Sequence, residues 1–413
     1  MAIQATADQG FIRKFNTAVI LDILRRYAPL SRAELAARTG LNRSTVSIII
    51  NSLIEEGFVQ ETDLQSPKIG RPGMLLVLNP KGGFAVGVEI GVDFISVILT
   101  DFVANVLWRQ SLLSDPAEDQ IRILDRTSEL TQEAINAGLA QGLRPLGIGV
   151  GVPGLVDIRQ GKLVFAPNLQ WDNVPLRLMW SQRFDLPIFV ENEANVAALG
   201  EYYFGVARGV DNFIYLSAGI GLGGGVLIDG KLFRGSSGYA GEVGHMTVDP
   251  DGDLCGCGKR GCWETKVGPR AVLHRVRNIL ANGAPSLIND LAGGDLDCIT
   301  SDIVVQAARS GDSVAHEALQ DVGKYLGIGV VNLINIFNPE LIVLGGALNL
   351  ANEFLLPVIE NTVCESALKP SCENIHFAAS ALGMDACVMG AVALVLDDIL
   401  REPMSYQHVA WSG

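Results

Sequence analysis

The segment CGCGKRGCWE, residues 255 to 264, gathers three of the chain's seven cysteines within eight positions. Cysteines at such close spacing read as a metal-binding turn or as chance. The competing reading is a plain glycine-rich turn with buried thiols. The other cysteines, Cys298, Cys364, Cys372 and Cys387, are scattered and read as ordinary core or surface thiols.

Such a loop needs a folded body to hold it. With 413 residues, 48% hydrophobic and 18% charged, the chain has an ordinary globular balance with material for two or three domains. The start, MAIQATADQGFIRKFNTAV, lacks a signal peptide's apolar stretch, and no apolar run reaches bilayer length. The expected location is the cytoplasm, without membrane partners. In that reducing compartment an odd number of cysteines speaks against a disulfide framework. The net charge of −14 is uneven: residues 1 to 80 hold nine Lys/Arg against seven Asp/Glu, leaving 22 against 38 for the remainder. The N-terminal segment can therefore meet a polyanion on its own terms.

That segment has the punctuation of a helix-turn-helix. Phe15, Val19, Ile23 and Tyr27 recur at helical spacing and predict one amphipathic helix. Ser31 and Glu34 form a capping-box pair for a second helix that ends near Gly40, and Asn42 can cap a third. In the third, Val46, Ile49, Ile50 and Leu53 face inward, leaving Arg43, Ser44, Ser47 and Asn51 near or on the opposite face, and Arg43, Ser44, Thr45 and Ser47 are the expected DNA contacts. FVQETD and MLLVLN read as strands around SPKIGRPG, a wing carrying Lys68 and Arg71. A winged helix-turn-helix sets its third helix in the major groove and can aim a wing arginine at the minor groove. The bland alternative is a small dimerisation module.

Beyond residue 80 the pattern is duplicated α/β. FAVGVEI, FISVILTD and VANVLWRQS predict three strands, followed by a helix over 117 to 141 and the strand LGIGVGV. A similar order recurs: FIYLSAGIG, GGVLIDG and KLFRG, with an Asp229-Gly230 turn, then a helix near 313 to 337, the strand LIVLGG and a last helix near 386 to 400. Each half has a glycine turn after its first strand, EIG at 89 to 91 and AGIGLGGG at 218 to 225, whose N–H groups could face a phosphate.

With these pieces, and with GYAGEVGH at 238 to 245, ENEANVAALGE at 191 to 201, GVPG at 151 to 154 and NPELIVLGG at 338 to 346, the chain resembles the ROK family of repressors and sugar kinases over residues 10 to 400. The resemblance implies a winged helix-turn-helix over 1–80 followed by a two-lobed actin-like (ribonuclease H-like) sugar-kinase fold. Its small lobe would span 81–195, with the helix about 386–400, and its large lobe 196–385. It implies His245, Cys255, Cys257 and Cys262 as ligands of a structural zinc ion. It also implies Asn168, Asn192, Glu193, Glu242, His245 and Glu264 as sugar-binding residues, since carboxylates and amides suit paired hydroxyls.

The kinases of this family carry an Asp where this chain has Glu193, and there the acid takes the proton of the attacking hydroxyl. Where they read Asp-x-Gly-Gly-Thr, this chain reads EIGVD, and Ala218 stands where they usually have Thr. A carboxylate at Asp93, about 4 Å from a phosphate at an effective dielectric near 20, would oppose it by about 4 kcal/mol. The expectation is a repressor, not a catalyst, that binds operator DNA and a small sugar effector as a homodimer or homotetramer. The alternative is an active or bifunctional ATP-dependent sugar kinase.

Overall fold

The computed structural model describes residues 9–65, 74–115 and 117–403. Its N-terminal module comprises α1 (Gln9–Tyr27), β1 (Leu30–Ser31), α2 (Arg32–Thr39), α3 (Arg43–Glu55), β2 (Val59–Gln65) and β3 (Met74–Leu78). The predicted caps are present. Ser31 Oγ accepts from Glu34 N while Glu34 Oε2 accepts from Ser31 N, and Asn42 Oδ1 accepts from Thr45 N at 2.7 Å. Val46, Ile49, Ile50 and Leu53 are buried as expected. The stripe expected on α1 is wrong by about one residue step. Thr17, Ile20, Leu21 and Leu24 are buried, whereas Phe15 and Tyr27 are 61% and 48% exposed. The helix carries two overlapping apolar stripes, and packing against the rest of the module selects the one that periodicity alone does not favour. Strands β2 and β3 pair antiparallel as the wing, and Lys68 and Arg71 lie outside the described residues.

The body holds two five-stranded sheets of matching design. The first is built from β4 (Phe84–Ile90), β5 (Phe94–Asp101), β6 (Val106–Leu113), β7 (Pro145–Val152) and, after the short strands β8 (Leu155–Asp157), β9 (Lys162–Ala166) and β10 (Trp171–Val174), β11 (Ile188–Asn192). Its order is β11-β7-β4-β5-β6, with β4 antiparallel to β5 and parallel to β7. The second uses β12 (Phe213–Ala218), β13 (Leu222–Ile228), β14 (Lys231–Leu232), β15 (Leu341–Gly346) and β16 (His376–Ala379) in the order β14-β13-β12-β15-β16. Here β12 is antiparallel to β13 and parallel to β15, so the repeat seen in the sequence is a repeat of topology. Asp229 and Gly230, both at positive φ, make the predicted hairpin turn.

Helices α4 (Gln120–Ala140), α5 (Leu176–Ser181), α6 (Glu193–Phe204), α7 (Pro269–Ala281), α8 (Leu287–Leu291), α9 (Ser301–Arg309), α10 (Ser313–Phe337), α11 (Asn352–Ser366), α12 (Lys369–Asn374) and α13 (Ala386–Arg401) complete the chain. Ile214, Leu216, Ile342 and Leu344 of the second sheet share one core with Val330 and Ile334 of α10 and Ile359 of α11. The chain divides into two compact units: Met1–Gly151, Leu176–Val190 and Ala391–Gly413 form one, Val152–Pro175 and Glu191–Gly390 the other. The segment 152–175 thus groups with the second unit, although the sequence boundaries put it in the small lobe. Among the described residues, no helix is long and apolar enough to cross a membrane.

Cys364 and Cys372 are joined as a disulfide, which corrects their reading as ordinary thiols. The turn from α11 into α12 brings their Cα atoms to 5.4 Å, within bridging range.

Candidate functional site

His245, Cys255, Cys257 and Cys262 offer four ligand atoms that all lie within 4.8 Å of one another. A tetrahedral zinc site with Zn–S near 2.3 Å requires ligand atoms about 3.8 Å apart. Cys257 and Cys262 sulfurs are 3.6 Å apart, and Cys255 Sγ is 3.7 Å from His245 Nδ1. The donor set fits a metal of that size. The backbone N–H of Cys257 donates to Cys255 Sγ at 3.3 Å, but burial and the contact with Glu264 outweigh it and raise this thiol above its usual range. Cys255 and Cys262 are buried, while Cys257 is exposed.

The loop bearing these ligands has little ladder of its own, only the isolated bridges Thr247↔Cys262 and Leu254↔Arg260. Its far end is anchored by Trp263, which is fully buried and donates Nε1–H to Tyr325 O of α10 at 2.8 Å. Its near end turns at Gly241, φ 100°, where a side chain would collide with Gly224 O. That turn delivers Glu242 and His245 to the same place as Glu264.

All six expected sugar-binding residues, Asn168, Asn192, Glu193, Glu242, His245 and Glu264, line one cavity of about 380 Å³. His245 presents its two ring nitrogens to different neighbours. Its Nδ1 lies against Cys255 and 3.4 Å from Glu264 Oε1, and its Nε2 is 4.0 Å from Glu242 Oε2. Glu264 also has space because Gly221 has no side chain, since a Cβ there would come within 3.0 Å of Glu264 Oε2. Asn192 also serves the local backbone. Its Oδ1 caps α6 by accepting from Ala194 N and Asn195 N, and its Nδ2 donates to Gly154 O at 2.9 Å. Its carboxamide is engaged at both ends.

Two residues given no role by the sequence support this cavity, Glu191 from behind and Lys259 from its lining. Buried Glu191 accepts from Asn192 N and Asn195 Nδ2 and pairs with Arg234 Nε at 2.6 Å, which fixes the start of α6 and so Glu193. Lys259 places a cation among the cavity's acids. In the sequence Glu191 opens the motif ENEANVAALGE as a charge at the end of the apolar strand IFVEN.

Burial, and next the neighbouring Glu242 carboxylate, push Glu193 up to about 7. Burial also raises Glu242, with Glu264 adding to the rise and His245 opposing it. Three half-buried carboxylates thus share one cavity and can accept hydrogen bonds from hydroxyl donors.

The glycine turns do not present their leading amides freely. Gly91 N donates to Phe94 O and Gly219 N to Gly221 O, both at 2.9 Å, so these donors serve the hairpins. Asp93 is exposed. On the N-terminal module Arg43 and Ser44 are exposed at the start of α3, and Thr45 and Ser47 are half-buried beside them.

Residues 85–398 match the ROK family, and residues 16–63 match the IclR helix-turn-helix domain. The chain belongs to the ROK family. This ROK chain is 36% identical over 392 residues to the xylose repressor of Caldicellulosiruptor bescii, a match covering 95% of this chain and 98% of that protein. A solved ROK family transcriptional regulator, a homologue of the E. coli MLC protein, superimposes with TM-score 0.82 at 29% identity, covering 95% of this chain and 97% of that one. A ROK family glucokinase from Streptomyces griseus, solved with glucose and AMPPNP, matches with TM-score 0.67 at 33% identity, covering 76% of this chain and 99% of that one.

The position of Glu193 gives a stability test. Unfolded, its carboxyl ionises near the ordinary 4.5; folded, it keeps its proton until about 7. Between those values the folded state binds more protons, so this residue's contribution to stability falls as pH rises through the window. Glu193→Gln cannot ionise. The unfolding midpoint of the variant minus that of the wild type should therefore grow from pH 4.5 to pH 8, and a difference independent of pH would contradict the burial of this acid.

Proposed function

We propose that this ROK protein is a cytoplasmic transcriptional repressor whose grip on operator DNA is set by a small sugar, and that it does not phosphorylate that sugar. The observation that carries the reading is the single cavity in which Glu193, Glu242, Glu264, His245 and Asn168 converge, in a chain that also bears a helix-turn-helix. Carboxylates accept charge-assisted hydrogen bonds from sugar hydroxyls, and a carbohydrate site concentrates acids and amides for that reason. Asn192 and Glu191 act here as positioning residues that hold Glu193 at the head of α6.

On the DNA side, Arg43, Ser44, Thr45 and Ser47 of α3 would meet the major groove, with Lys68 and Arg71 of the wing reaching backbone or minor groove. One module reads one half-site, so a homodimer, or a homotetramer built from two, would bind a pseudo-palindromic operator. The relative's name, xylose repressor, makes D-xylose the first effector to try.

The metal reading is zinc, held by His245, Cys255, Cys257 and Cys262. When bound it would neutralise the thiolates and staple the loop; the chain's own residues do the sugar binding. A second reading, residual kinase activity, is favoured by Glu193, because an acid titrating near neutrality suits a general base. EIGVD at the first turn, Ala218 at the second and the engaged turn amides oppose it.

Two experiments decide between these. Operator affinity is measured at fixed salt with and without D-xylose and other common aldoses and amino sugars, on wild type and Glu242→Ala. We expect one sugar to weaken wild-type binding by about 5- to 150-fold, the usual scale of allosteric coupling, and to leave Glu242→Ala unaffected. A sugar that binds by calorimetry yet leaves operator affinity untouched would defeat the sensor reading. Sugar-dependent ATP turnover on the order of 1 to 100 per second would promote the kinase instead.

Elemental analysis of protein purified without chelator should find close to one zinc per chain. Cys257→Ser should lose the metal and lower sugar affinity together with thermal stability, because the ligand loop also carries Glu242 and Glu264. Metal-free wild type with undiminished sugar affinity would refute the zinc assignment.

A further inference from the structure

Arg144, in the four-residue connection between α4 and β7, reaches into the DNA-reading module. Its Nε donates to Gly82 O at 2.7 Å and its Nη2 to Glu56 O at 3.2 Å, and its guanidinium lies 4.5 Å from the centroid of the Phe58 ring. Each contact is informative. Glu56 is the C-cap of α3, so the cation sits on a carbonyl at the negative end of the recognition helix. Phe58 opens the wing, is fully buried and packs on Phe102 at 5.1 Å, beyond the end of β5. Gly82 belongs to the connector between module and body, and a Cβ there would crowd both Phe102 and Gly57 O at 3.1 to 3.2 Å.

The main chain of the same residue is built into the first sheet, where Phe84 N of β4 donates to Arg144 O at 2.8 Å. Arg144 therefore has its backbone in the sheet and its side chain on the recognition helix. From it β7 runs straight to Val152, and the next residues in the chain, Pro153 and Gly154, line the candidate sugar cavity. Along the chain, β7 thus joins Arg144 to the residues that begin the cavity lining. A lysine could not reproduce the contact, because only a planar guanidinium can hold two carbonyls and stack on a ring together.

We infer that Arg144 is the coupling residue through which the state of the sugar cavity reaches the recognition helix. This rests on the sensor reading above and adds the route. Arg144 touches neither the sugar cavity nor the DNA-facing residues of α3, so its loss should leave both partners' sites intact while separating them.

The test uses the full-length protein, the operator fragment that the wild type selects from a random-sequence pool, and whichever panel sugar weakens wild-type binding. Sugar affinity, operator affinity, and the ratio of operator affinities without and with sugar are measured for wild type, Arg144→Ala, Arg144→Lys and Phe58→Leu. In Arg144→Ala, sugar affinity should stay within about twofold of wild type while the ratio collapses towards one; Arg144→Lys and Phe58→Leu should fall between. Hydrogen exchange should show that sugar alters protection at residues 53–59 in the wild type and not in Arg144→Ala. A merely structural residue would lower the unfolding midpoint and leave the ratio unchanged, which overturns the proposal. Should Arg144→Ala fail to fold, the two milder variants decide it by the same ratio. If no sugar alters wild-type operator affinity, the sensor reading fails and the coupling with it; if the wild type responds and the variants keep its full ratio, only the coupling fails.

Discussion

Four donor atoms drawn within 4.8 Å, one imidazole and three thiols, are the constraint on which the candidate site depends. The loop they close has only two isolated backbone bridges, yet it carries Glu242 at one end and Glu264 at the other. Glu264 Oε1 stands 2.7 Å from Cys255 Sγ and 3.4 Å from His245 Nδ1. A carboxylate beside three sulfurs is tolerable only if the thiols keep their protons or a cation balances them. Without a metal, burial and the contact with Glu264 raise the Cys255 thiol far above its usual range. A cation at the centre would reverse the electrostatic sign and offset the cost of holding Glu264 beside the thiolates.

The rest of the architecture serves that loop. Trp263 ties it to α10, Gly241 bends into it, and the Glu191–Arg234 pair sets the head of α6 so that Glu193 meets Glu242 across the cavity. Bringing Glu193 and Glu242 together opposes stability, as Glu193 at about 7 indicates. Such a conflict between local electrostatics and folding is expected where a ligand is to be bound. The DNA-reading module lies outside this conflict, with its own small core, its own caps and a locally positive balance in an acidic chain.

Features decided by near neighbours in sequence were legible. The capping box at Ser31 and Glu34, the Asn42 cap, the Asp229-Gly230 turn and the helix over 313 to 337 each follow from residues a few positions apart. The metal cluster and the cavity residues were legible through family resemblance, because no local rule brings Asn168 to Glu264. What stayed hidden depends on long-range packing. Arg144 meets Glu56 across 88 positions and Arg234 meets Glu191 across 43, and neither pair leaves a trace in periodicity. The α1 stripe failed for a related reason, since Phe15 and Thr17 begin equally plausible faces until the module chooses one. The Cys364–Cys372 bridge was missed because compartment and an odd count argued against any pair, while the short α11–α12 turn makes one geometrically.

The central claim is that one chain links a sugar cavity to a DNA-reading helix, and linkage makes that reciprocal. The direct measurement is calorimetric titration of the effector sugar into the protein, alone and saturated with operator DNA, at one salt concentration. The account predicts that operator raises the sugar's Kd by the same factor by which sugar raises the operator's. A sugar Kd that is identical with and without bound operator would contradict it.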